Sequence, residues 1–142
     1  MKIRILFSLA LLSQLFILAG TSRAQVTFYD TGTVQTIEIH FSQPNWDYMM
    51  DTAKAGSGGY IMAQWVKING IHYDSVGVKY KGTSSYDPGY IKNPLHISLD
   101  EYKEQAYQGI SSIKLANGYG DPSMIREVLS YEILADYMDC SR

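Results

Sequence analysis

The chain has 142 residues with 12 basic and 14 acidic side chains, and its formal charge of −2 excludes the basic footprint that non-specific nucleic-acid binding needs. Its one cysteine, Cys140, excludes an internal disulfide. The length suits one modest domain with a real core and is too short for two.

Residues 1–24 read as a secretory leader. Lys2 and Arg4 form a positive start, residues 5–19 are apolar apart from Ser8, Ser13 and Gln14, and Ser22-Arg23-Ala24 is a small-x-small cleavage site. The apolar run is short for crossing a bilayer and meets the cleavage tripeptide at once, which favours removal over a retained anchor. No cysteine follows the run, so nothing indicates a lipoprotein. The expected mature chain starts at Gln25 and has 118 residues; three positive charges leave with the leader, taking the net charge to −5. The expectation is a secreted or cell-envelope (periplasmic or extracellular) protein without a stable membrane anchor. Cys140 either pairs outside this sequence or carries a free thiol.

Residues 34–41, VQTIEIHF, alternate, with Ile37, Ile39 and Phe41 on one face and Thr36, Glu38 and His40 on the other; the period predicts a strand. Ser42-Gln43-Pro44 predicts a capped helix start with proline in the first turn, and Trp46, Met49, Met50 and Ala53 follow at helical spacing as a core face. The run at 55–59, AGSGG, ends that helix. Asn69-Gly70 between apolar strands at 61–68 and 71–73 is a strong hairpin signal, because a type I′ turn needs positive φ at both central residues. The second arm is expected to continue through 76–81, with a bulge at Gly77 as an option. A loop at 82–91, a strand at 94–99, a polar segment at 100–108 and a short strand at 110–116 follow.

After the turn Asn117-Gly118-Tyr119-Gly120, Asp121 and Pro122 predict a helix cap and first helical position. Met124, Ile125, Val128, Leu129, Ile133, Leu134, Tyr137 and Met138 then give a broad apolar face, predicting a helix packed on the sheet. The element order predicts an α+β fold with a largely antiparallel sheet. No internal repeat or low-complexity tract occurs.

The segment VGVKYKGTSSY at 76–86, then KNPLHISLDEY at 92–102, then YQGISSIKLANGYGDPSMIREVLSYEILADYM at 107–138, resembles the amino-terminal part of the CotH kinase family, proteins related to a spore-coat protein. The resemblance runs over about residues 34–138. It rests on the order of V-G-V-K-x-K-G-x-S-S, K-N-P and D-P-S-M-I-R-E; each motif alone is weak. It implies a divergent protein-kinase-like fold, of which residues 25–142 correspond to the small, nucleotide-covering lobe. It also implies ATP with Mg²⁺ or Mn²⁺ and phosphoryl transfer to protein Ser or Thr. Family members are longer, and their catalytic base and metal-binding acids lie beyond the residues seen here. The resemblance therefore assigns no catalytic or metal-binding residue to this chain, and implies that it is inactive alone and pairs with a carboxy-terminal lobe or an oligomer partner, with a protein as acceptor.

The candidate nucleotide-binding residues are Lys81, Gly82, Ser84, Ser85, Lys92, Arg126 and Glu127. Small residues, hydroxyls and ammonium groups between two strands suit an anion, although such a loop is more often only a loop. Lys81 and Lys92 are alternative phosphate lysines or solvated strand ends, and Lys79 shares the Lys81 face by alternation. Gly82, Ser84 and Ser85 either cap phosphates or form turns. Glu127 is open between pairing with the phosphate lysine and favouring the helix amino end. Arg126 is open between a phosphate contact and bracing the sheet; the two lie about 100° apart on a helix, so they do not both aim straight at one site.

His40, His72 and His96 lack metal-ligand spacing, and no nucleophile–His–acid arrangement can be argued. The 12 tyrosines suit carbohydrate stacking or strand faces equally. The alternative reading is a non-catalytic cell-envelope binding or structural module. An apolar face at 124–138 without a second lobe predicts poor solubility or self-association.

Overall fold

The structure, a computed structural model, describes residues 27–30 and 32–138. The leader at 1–24 and Cys140 lie outside the described residues. The chain divides into two units, 1–30 and 31–142. In the first, residues 27–30 form a turn in which the Asp30 N–H donates to Thr27 O at 3.0 Å. Every element below belongs to the second.

Five strands, β1 (Ile37–His40), β2 (Ile61–Ile68), β3 (Ile71–Tyr80), β4 (Leu95–Ser98) and β5 (Ser112–Leu115), form one sheet in the order β1-β2-β3-β4-β5. Every neighbouring pair is antiparallel. Helix α1 (Trp46–Ala55) follows β1, and α2 (Arg126–Ala135) follows β5. The alternation in β1 holds, with Ile37 and Ile39 half-buried and Glu38 and His40 exposed. Asn69 and Gly70 take φ of 51° and 82°, the backbone of the expected turn.

The turn is also anchored from its side chain: Asn69 Oδ1 accepts from the Thr36 N–H at 2.9 Å, and Nδ2 donates to Tyr107 Oη at 2.9 Å. Val66, Ile68, Val76, Val78, Ile97, Leu99 and Ile113 are buried, and α1 covers β2 and β3 with Met50 at 1% exposure. Gly58 at φ 69° closes the end of α1, its N–H donating to Ala53 O at 2.7 Å.

Several expectations need correction. Strand β1 is shorter than 34–41, because the Thr36 amide bonds to the Asn69 side chain instead of to a ladder partner. Pro44 does not lie in the first helical turn; α1 begins at Trp46, and Asn45 makes no side-chain cap bond. Gly77 is not bulged. It pairs in register with Met62 on one side and Ser98 on the other, and the irregular residue is Ser75 at φ 54°. Gly77 is needed for space, since a Cβ there would lie 2.7 Å from Glu101 Cβ.

The second helix starts at Arg126, not at Pro122, because residues 121–124 close a turn in which the Met124 N–H donates to Asp121 O and Met124 takes φ 59°. It is also not packed on the sheet. It buries no residue, and Val128 and Leu129 are each half exposed, with Tyr137 beyond its end at 83%. No helix among the described residues is long and apolar enough to cross a membrane.

Candidate functional site

A concavity of about 750 Å³ opens between the end of β3, the loop at 82–85, strand β5 and the beginning of α2. It brings together Lys81, Gly82, Ser84, Ser85, Arg126 and Glu127. Lys92 is left out. Its backbone carbonyl is held by Asn117 Nδ2 at 3.2 Å, and its side chain is exposed outside the cleft. Lys114, on β5, lines the cleft instead. Sequence reasoning missed it because an isolated lysine in a strand has no local mark; its register opposite His96, which faces Lys79 in turn, is what places it.

The loop carries the anion-facing groups in a fixed shape because side chains bind its carbonyls. Lys54 Nζ donates to Gly82 O at 2.6 Å, and Asn117 Nδ2 donates to Ser85 O at 2.9 Å. The buried Asn93 donates to Asp87 O and Tyr90 O and accepts from the Asp87 N–H. The N–H groups of Thr83, Ser84 and Ser85, by contrast, meet no acceptor among the described residues. Gly82 takes φ 79°, and a Cβ there would collide with Ser85 Oγ, so glycine is required twice over.

Helix α1 holds the loop from outside the cleft. Asp47, Asp51 and Lys54 lie on one stripe at i, i+4, i+7: Asp47 accepts from the Tyr80 hydroxyl, Asp51 from the Tyr86 hydroxyl at 2.7 Å, and Lys54 sits 5.5 Å from the Tyr86 ring. Burial, then the hydrogen bond and charge of Asp51, push the Tyr86 phenol up to about 12. Tyr80 is raised further by burial and Asp47. That stripe was legible as a spacing, but nothing local says what it meets.

On β4, paired with Lys114 of the cleft, His96 lies between the Tyr60 hydroxyl (3.2 Å from Nδ1) and Ser112 Oγ (2.8 Å from Nε2). Burial, then the charges of Lys79, Lys114 and Lys81, hold its pKa below the usual histidine value. Lys79 itself lies 4.2 Å from the Tyr60 ring.

At the far rim, Asp121 caps α2 from outside the helix: its carboxylate accepts from the Arg126 N–H at 2.9 Å and the Ser123 N–H at 3.0 Å. These bonds, the Ser123 hydroxyl foremost, hold its pKa below the ordinary carboxylate range. The Arg126 guanidinium folds back onto Gly120 O at 3.1 Å and Asp121 at 3.5 Å, so it braces its own turn and not the sheet. Glu127 lines the same cleft as Lys81, yet among the described residues the two form no ion pair.

Residues 78–139 match the family model described as CotH kinase protein. The matched stretch agrees with the resemblance carried by the lysine–serine loop and the D-P-S-M-I-R-E motif, and it contains every residue lining the large cleft. It excludes α1 and the β2–β3 turn. No curated protein and no solved structure matches the chain.

The cleft's chemistry can be tested against the nucleotide that the family implies. The ammonium groups of Lys81 and Lys114 with the backbone N–H groups and hydroxyls of Ser84 and Ser85 are a donor set that fits phosphate oxygens. A divalent ion is not matched in the same way. Among the described residues no three His, Cys, Asp or Glu side chains cluster to hold a metal.

Proposed function

We propose that residues 78–138 form the phosphate-facing part of a CotH-like, kinase-related domain, and that the large cleft binds the phosphates of ATP. The observation that carries this reading is the convergence of Lys81, Lys114, Ser84 and Ser85 on one concave surface, beside a loop whose carbonyls are held by the side chains of Lys54, Asn93 and Asn117. ATP, when bound, supplies the transferable phosphoryl group. The chain's own part is electrostatic: the two ammonium groups neutralise oxygen charge, and the amides fix its direction. Arg126 contributes by holding the Gly118–Asp121 turn at the rim. Transfer to a protein Ser or Thr, with Mg²⁺ or Mn²⁺, belongs to the same proposal through the family and draws on residues other than those described here. Export by the leader is proposed with it.

His96 reports on this reading. A bound polyanion beside Lys81 and Lys114 offsets their charge and raises the lowered imidazole pKa. An NMR titration of the His96 ring with and without ATP is expected to show an upward shift. An unchanged His96 at saturating ATP contradicts the placement of phosphates in this cleft.

A further inference from the structure

The dipeptide Asn-Gly occurs twice, at Asn69-Gly70 and Asn117-Gly118. Chemically the two are alike: glycine has no side chain to shield its nitrogen, which can attack the side-chain amide carbon of the asparagine before it. The fold treats them differently. Asn69 Oδ1 accepts from the Thr36 N–H at 2.9 Å, on a distant stretch of the chain, and its Nδ2 donates to Gln35 and Tyr107. Asn117 Oδ1 instead accepts from the Tyr119 N–H at 3.2 Å, two residues on. The ring closed by that bond contains the Gly118 nitrogen, so Cγ is folded back toward it. The Gly118 N–H itself meets no acceptor among the described residues. The fold also keeps glycine at this position, since it takes φ 68° and a Cβ would lie 3.1 Å from Met124 Sδ.

We infer that Asn117-Gly118 is a site of spontaneous deamidation that disables the phosphate cleft; the second half rests on the reading of the cleft given above. The Gly118 nitrogen bonds to Asn117 Cγ and gives up its proton. The Cγ–Nδ2 bond breaks, and the nitrogen leaves as ammonia with that proton. Water then opens the cyclic imide, adding its hydroxyl to one carbonyl carbon and its hydrogen to the imide nitrogen, which leaves aspartate or isoaspartate at position 117. The Tyr119 N–H faces the oxygen on which charge develops during the attack, as an oxyanion donor does. Asn117 lines the cleft, and its Nδ2 donates to Ser85 O at 2.9 Å and to Lys92 O at 3.2 Å. A carboxylate has no proton to donate to either carbonyl. Its negative charge would also stand in the cleft that Lys81 and Lys114 line, opposing a bound phosphate.

The test holds the full chain in mildly alkaline buffer, with peptide mapping by mass spectrometry to follow conversion and pyrophosphate calorimetry to follow the cleft. In the folded chain, position 117 is expected to convert about tenfold faster than position 69 or more, given its oxyanion donor. In denaturant the two are expected to convert at like rates, because the difference belongs to the fold. Pyrophosphate binding is expected to fall in step with conversion at 117. Asn117→Asp, which mimics one product, is expected to bind about tenfold more weakly than the parent. Asn117→Ala, which removes the donors without adding charge, is expected to lose about threefold.

No conversion at 117, or conversion at 69 that matches or outpaces it in the folded chain, overturns the inference and leaves the phosphate reading standing. Parent-like binding by Asn117→Asp does the same. No pyrophosphate or ATP binding by the fresh parent chain overturns the phosphate reading and the loss of binding drawn from it, while the peptide map still decides the reaction at 117.

Discussion

Helices α1 and α2 are each ten residues long and both carry apolar side chains at helical spacing, yet they stand in opposite relations to the sheet. Helix α1 packs on β2 and β3, buries Met50 and uses its remaining polar stripe to hold Tyr80, Tyr86 and Gly82. Helix α2 buries nothing and is fixed at its amino end by Asp121. An amphipathic period states that a face wants cover. It does not state whether the cover lies among the described residues. For the site, the consequence is that the loop at 82–85 is braced by a helix packed on the core, whereas the α2 side of the cleft is held by a single capped turn.

The contrast can be broken most strongly by paired truncations. Met50→Ala is expected to cost about 2–5 kcal/mol in chemical denaturation, because a fully buried side chain leaves a cavity. Leu129→Ala, on the exposed face, is expected to lie within about 0.5 kcal/mol of the parent. Similar losses at both positions would mean that α2 is covered in solution, for instance by a second copy of the chain.

A smaller effect should appear at the cap. Asp121→Ala is expected to raise amide hydrogen exchange in α2 while leaving α1 and the sheet unchanged. Because the Asp121 pKa is depressed, this protection is present above the unfolded carboxylate value and is lost as pH falls through the folded one. Protection of α2 that does not change between neutral and strongly acid pH would show that another contact holds the helix.

The smallest effect concerns the tyrosines held by α1. Tyr86 is raised from 10 to about 12, so folding favours its neutral phenol. Its contribution to stability is fully present below pH 10 and lost as pH rises through about 12. Tyr86→Phe should flatten that alkaline decline measurably without removing it, since Tyr80 shifts in the same direction. An identical decline in the variant would show that Asp51 does not hold the phenol in solution.

What the sequence made legible was whatever local chemistry decides. The Ile37–Ile39 alternation, the Asn69-Gly70 turn and the glycine end of α1 each depend on a few neighbouring residues, and each is found in the structure. Lys81, Gly82, Ser84 and Ser85 were readable as one candidate loop because they are contiguous. Lys92 looked equivalent to Lys81 in the same loop, but Asn93 and Asn117 fold the chain so that the two separate. Lys114 reaches the site through strand register, and Lys54 reaches the back of its loop through a helix–loop contact; both are products of the tertiary fold. The start of α2 was misplaced for a related reason: Asp121 and Pro122 carry the chemistry of a helix start, but Met124 at positive φ interrupts the helix before Arg126.

The central claim, that this cleft and not the outer end of the loop meets phosphate, is tested most directly by calorimetric titration of ATP into the parent chain, Lys81→Ala and Lys92→Ala. The account predicts binding by the parent, about tenfold weaker binding by Lys81→Ala, and a change of less than about twofold for Lys92→Ala. Absence of binding by the parent, or a loss confined to Lys92→Ala, would contradict it.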